Sequence, residues 1–178
     1  MNVGDKLPPL PRFGVEFRMP EGNERFEYFG MGPYENYPDK RHASWLSRFK
    51  STVSAQLEDY VKPQENMAHG GTHWAAVTGF YGHGLLVCRC GDQPFSINCS
   101  HYDSRMLTAA KHNFELTPLK ETVVCLDYRH NGVGSNSCGP ELAKQWRLDE
   151  KEFDFSIRVK PMLLDDTSPF EELCGRAD

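Results

Sequence analysis

Three polar segments carry residue types that strands alone do not need. Residues 30–39 read Gly-Met-Gly-Pro-Tyr-Glu-Asn-Tyr-Pro-Asp. Tyr34, Glu35 and Asn36 suit a sugar, because rings pack on C–H faces while carboxylates and amides pair with hydroxyls. The plainer alternative is a wide turn whose Glu and Asn satisfy its own backbone. Residues 60–74 repeat the theme with Gln64, Glu65 and Asn66, followed by His69, His73 and Trp74. A zinc site at His69-x-x-x-His73 needs a helix to align the imidazoles, and Gly70-Gly71 disfavours one, so no metal is expected. Residues 130–140 hold His130, Asn131, Gly132, Gly134, Ser135, Asn136, Ser137 and Cys138 before Gly139-Pro140. Gly132-x-Gly134 points to a positive φ or to close backbone approach. It is not a dinucleotide fingerprint, which needs a third glycine opening a helix. Cys138 is a nucleophile only if His130 or His101 comes to it; a loop or buried thiol is the plainer reading. Glu35 and Glu65 invite comparison with a retaining glycosidase pair, two carboxyls about 5 Å apart. Nothing in their spacing sets them face to face.

The elements that must position these residues read as strands. Phe13, Val15, Phe17 and Met19 alternate with polar neighbours, as do Phe153, Phe155, Ile157 and Val159, and the run 123–128 alternates as well. Period two means strands with one face in a core. Further strands are expected at 25–29, 74–80, 85–90 and 95–99. Pro20-Glu21-Gly22-Asn23 reads as a hairpin between the first two strands, and Gly82-His83-Gly84 as another. Helix signal is thin: a short helix capped at Asp103 or Ser104, and a turn or two over 42–49. Many short strands with frequent turns imply an all-β sandwich.

A chain of 178 residues, 39% hydrophobic, builds one core. Net charge is −5 and no Lys/Arg block exceeds Lys40-Arg41, which argues against a nucleic-acid partner. No apolar run spans a bilayer and no secretory leader is visible, so a cytoplasmic protein is expected. Six cysteines without a C-x-x-C pair read as buried free thiols in a reducing compartment. Residues 162–178 lose periodicity and turn acidic, as a tail or linker.

The segments 32–39 and 60–66, followed in order by Phe95-Ser96, His101-Tyr102, His112, Gly132-Val133-Gly134, residues 137–140 and the closing strand at 153–156, resemble the small-chain, or fifth, C-terminal domain of family-two β-galactosidases. The resemblance covers residues 11–161. It implies an antiparallel β-supersandwich of the galactose-mutarotase-like kind. It also implies a catalytic pair on a separate TIM-barrel domain, so no catalytic residue is expected here and the isolated chain is expected to be inactive. The expected role is to cover the barrel mouth and meet a β-galactoside such as lactose through the loop Asn131, Gly134, Ser135, Asn136, Ser137, Cys138. A second carbohydrate or structural cluster would comprise Tyr34, Glu35, Asn36, Gln64, Glu65, Asn66 and His101. The resemblance implies no cofactor in this domain, magnesium and sodium elsewhere in the parent enzymes, and an oligomeric parent. Two departures stand out. Cys138 lies where some relatives offer a Trp, and an Arg expected after Asn66 is missing, leaving His69, His73 or water to partner a family Glu. The alternatives are a mutarotase or epimerase using Glu35 or Glu65 with His101 or His130, and a stand-alone sugar-binding module.

Overall fold

The computed structural model describes residues 8–134, 139–163, 168, 169 and 172. Nine strands form two antiparallel sheets: β1 (Arg12–Met19), β2 (Arg25–Gly32), β3 (Trp45–Thr52), β4 (His69–Thr72), β5 (Trp74–Thr78), β6 (His83–Arg89), β7 (Phe95–Ser100), β8 (Thr122–His130) and β9 (Ile157–Leu163). One sheet has the order β1-β8-β7-β4 and the other β3-β2-β5-β6-β9. The all-β sandwich expected from the alternation is what forms.

The core lies between the sheets. Phe26 and Tyr28 of β2, Ala75 and Val77 of β5, and Val87 of β6 meet Phe95, Ile97 and Cys99 of β7 and Val124 and Leu126 of β8. The larger of these side chains, such as Phe26, Ile97 and Leu126, each contribute roughly 1.5–3 kcal/mol on burial. In the four-stranded sheet the alternate residues therefore face outward, among them Ser96, Asn98 and Ser100 of β7 and Cys125 and Asp127 of β8. That outer face is polar yet buried, and the motif segments are fastened to it.

Several expectations need correction. Residues 42–49 hold no helix: Trp45–Thr52 is the edge strand β3, paired in register with β2. Pro20 to Asn23 is not a hairpin, because β1 and β2 lie in different sheets and the turn carries the chain between layers. Residues 153–156 are not strand. Phe153 stacks on Phe13 at 4.6 Å and Tyr128 meets both Phe153 and Phe155 edge-on, while the strand proper starts at Ile157. Val15 is half exposed on an edge strand rather than core. The β5–β6 hairpin at Gly82 and the short helix α1 (Ser104–Ala109) form as read. Asp103 caps the helix, accepting from Met106 N at 2.9 Å. Among the described cysteines Cys88, Cys99 and Cys125 are buried free thiols and Cys90 is half-buried. No described helix is long and apolar enough to cross a membrane.

Candidate functional site

Two ion-pair clusters anchor the motif segments. In the first, Arg12 at the start of β1 grips Asp127 of β8 with Nε at 3.1 Å and Nη2 at 2.5 Å, and Nη1 donates to Glu65 at 3.1 Å. His130 Nε2 lies 3.1 Å from Asp127 Oδ2. An ionised carboxylate only accepts, so Nε2 carries the proton there. Burial alone would raise the Asp127 pKa, but the hydrogen bonds of His130 and Arg12 outweigh it and hold the carboxyl below its ordinary value. Tyr37 donates to Glu65 at 3.3 Å, and its ring meets His130 edge-on at 5.4 Å. Burial, then Glu65 and Glu35, push the Tyr37 hydroxyl far up, so it stays a donor.

In the second cluster buried Glu35 accepts from Lys40, from the Tyr60 hydroxyl and from Met67 N at 2.9 Å. Partial burial opposes the Lys40 ammonium, but Glu35 and Tyr60 raise its pKa above the ordinary value. Asn36 accepts from Gly70 N at 2.9 Å and donates to the Met31 carbonyl at 2.8 Å, closing residues 31–36 onto β4. Asn66 braces its own segment by donating to the Gln64 carbonyl at 2.7 Å, and Asn98 donates to the Asn66 carbonyl at 2.5 Å. The partners of Glu35 and Glu65 are thus Lys40 and Arg12, not His69 or His73. Instead His69 is buried, bonded to Tyr28 at 3.0 Å and to Gln56, and burial pushes its pKa down to about 4.

The loop stem joins these clusters through Asp39, whose carboxylate accepts from Val133 N at 3.0 Å and Gly134 N at 2.9 Å. Gly132 N donates to the Trp146 carbonyl, and Leu148 N to Asn131 Oδ1, both at 2.9 Å. Close approach, not positive φ, explains Gly132: a Cβ there would meet Leu142 Cδ1 at 2.6 Å and Asp39 Cγ at 2.8 Å. Two clefts flank residues 38–41. One, of about 310 Å³, is lined by Asn36, Tyr37, Arg41, Ser96, His130 and Trp146, with the Arg41 guanidinium 5.7 Å over the Trp146 ring. The other, of about 410 Å³, is lined by Tyr34, Glu35, Asp39, Lys40 and Tyr60.

Every carboxylate in the two clusters already pairs with a cation. This suits a rigid structural platform better than proton transfer, which needs an acid or base within reach of the substrate. No group of three or more metal-binding side chains occurs among the described residues. Of the expected site residues, Glu35 and Asn36 meet around β4, Glu65 and Asn66 hold the neighbouring segment, and Tyr34 lies exposed at the second cleft. Gln64 is exposed, and its backbone carbonyl serves Asn66. His101 stands apart, its ring nitrogens paired with the Glu121 carbonyl at 3.0 Å and Glu24 at 2.7 Å. Ser135, Asn136, Ser137 and Cys138 lie outside the described residues. Sequence reasoning missed Arg12, Tyr37, Asp39, Lys40, Tyr60, Asp127, Arg41 and Trp146. Tyr37, Asp39 and Tyr60 were inside the quoted motifs, while Asp127 was visible only as one polar position of an alternating strand.

A family model described as beta galactosidase small chain matches residues 1–159. The chain is 43% identical over 148 residues to a β-galactosidase of Actinobacillus pleuropneumoniae, covering 83% of this chain and 14% of that protein. It is 36% identical over 155 residues to one of Staphylococcus xylosus, covering 87% and 15%, and 36% identical over 158 residues to one of Kluyveromyces lactis, also covering 87% and 15%. The chain thus spans only 14–15% of the length of these relatives. With a matching model over nearly its whole length, and the motif segments built into one platform on a two-sheet sandwich, the chain belongs to the β-galactosidase small-chain family.

Proposed function

We propose that the chain serves a β-galactosidase acting on terminal β-D-galactosides such as lactose. In this reading it completes and covers the active site of a TIM-barrel domain outside these 178 residues, and it meets carbohydrate through Asn131, Gly134, Ser135, Asn136, Ser137 and Cys138. The observation that carries the proposal is the Asp39 clamp on Val133 and Gly134, which fixes the stem of that loop between two clefts lined by Tyr34, Asn36 and Trp146. With Cys138 in the loop, ring stacking on the sugar falls to residues such as exposed Tyr34. The parent is expected to be oligomeric and cytoplasmic, with magnesium and sodium held outside this domain.

The test has two arms. The purified chain, given a chromogenic galactoside, should turn over no faster than blank. Turnover lost on Glu35→Gln or Glu65→Gln would place the chemistry in this domain and sink the reading. Grafted in place of the matching segment of the Actinobacillus pleuropneumoniae relative, the chain should retain activity, and Cys138→Trp in that graft should lower KM more than it changes kcat. An active graft indifferent to every substitution in residues 131–138 would remove the loop from the role.

A further inference from the structure

The outer face of the five-stranded sheet is a second, apolar surface. Strand register sets out its rows: Arg48, Phe29, Trp74, Cys88 and Arg158 across β3-β2-β5-β6-β9, then Lys50, Glu27, Ala76, Leu86 and Lys160. Met162 completes the stripe at the β9 edge. These side chains point away from the inter-sheet core, yet Trp74, Ala76, Leu86, Cys88 and Met162 are each at most 5% exposed. A face of a two-layer sandwich that carries apolar residues needs its own cover. Cations border it on both sides. Arg48 and Lys50 are paired with Glu27 within the sheet, whereas Lys160 and Arg158 meet Glu172, the former by an ion pair and the latter through the Glu172 carbonyl. Glu172 lies beyond the end of the family match at residue 159.

We propose that this face is a docking groove for the chain's own C-terminal segment, residues 164–178, which Glu172 fixes to β9. Three observations specify this occupant. The segment carries Asp165, Asp166, Glu171, Glu172 and Asp178 against one Arg176, complementary to the basic β9 edge. Ser168-Pro169 is a helix-start sequence, and Glu172 N donates to the Ser168 carbonyl at 3.1 Å, the i to i−4 bond of a first turn. In the sequence Phe170, Leu173 and Cys174 are spaced i, i+3 and i+4, the apolar spacing of an amphipathic segment. The Glu172 charge also acts on the Cys88 thiol, whose pKa burial raises to about 11.

Cys88 supplies the readout. In the full chain its alkylation by iodoacetamide, mapped by mass spectrometry, should be slow. Glu172→Lys should speed it about fivefold, the scale of one ion pair turned repulsive. Adding Arg158→Glu and Lys160→Glu to that variant should restore the slow rate. A chain ending at Leu163 should label at least tenfold faster and self-associate in light scattering. A peptide of residues 164–178 added to it should restore protection. Labelling unchanged by Glu172→Lys, or protection that follows chain concentration because a second copy covers the face, overturns the proposal, as does a peptide without effect. None of these outcomes depends on galactosidase activity.

Discussion

Asp127 is enclosed at the outer face of β8 and held by Arg12 through a pair of side-by-side hydrogen bonds. Removing the carboxylate leaves a guanidinium that keeps only Glu65, so Asp127→Ala should cost about 3 kcal/mol in urea unfolding. His69 makes a second, pH-dependent contribution. Its folded pKa of about 4 lies below the ordinary value of 6.5, so the unfolded chain takes up its proton first on acidification. Stability from this group is complete above about pH 6.5 and is lost as pH falls toward 4, by up to about 3 kcal/mol. Urea midpoints at pH 7.5 and 5 should therefore differ, and His69→Gln should flatten that difference. Asp127, with its lowered pKa, adds to the loss only at still lower pH. At this scale the sequence disclosed residue types but not partners. Glu35 and Glu65 stood out in their motifs, but Arg12 reaches Asp127 across 115 positions, and no local spacing announces such a contact.

Elements with a strong period were legible. The buried strands β5, β7 and β8 were found near their observed limits, and the helix cap was narrowed to Asp103 or Ser104, of which Asp103 is the cap. Edge strands were not. In β3, Leu46, Arg48 and Lys50 face solvent-side partners while Trp45 is more than half exposed, so no clean apolar row distinguishes it from a turn of helix. β4 is short, and Gly71 at φ 62° interrupts its register, so glycine hid the strand even though it rightly argued against a helix. The link between the 38–41 segment and residues 131–134 is likewise tertiary. Asp39→Ala should speed amide exchange of Val133 and Gly134 tenfold or more while moving the global urea midpoint little, since it frees a loop rather than the core.

Among the described residues the two sheets share the core between them and carry unlike outer faces. Phe26, 1% exposed, touches both layers through the shared cluster, and Phe26→Ala should cost about 3–5 kcal/mol. Near- and far-ultraviolet dichroism should then still lose signal together, because the two sheets share the core that Phe26 fills. Outside, the four-stranded sheet carries the polar platform, and the five-stranded sheet the apolar stripe with its basic margin. The platform has a mechanical consequence. Residues 131–134 are held by Asp39, while Trp146 and Leu148, on the far side of the loop, are tied back to Gly132 and Asn131. A peptide bond severed between Ser135 and Cys138 would thus leave both new ends moored to the same body. The nicked protein would run as two fragments under denaturation and as one particle without it.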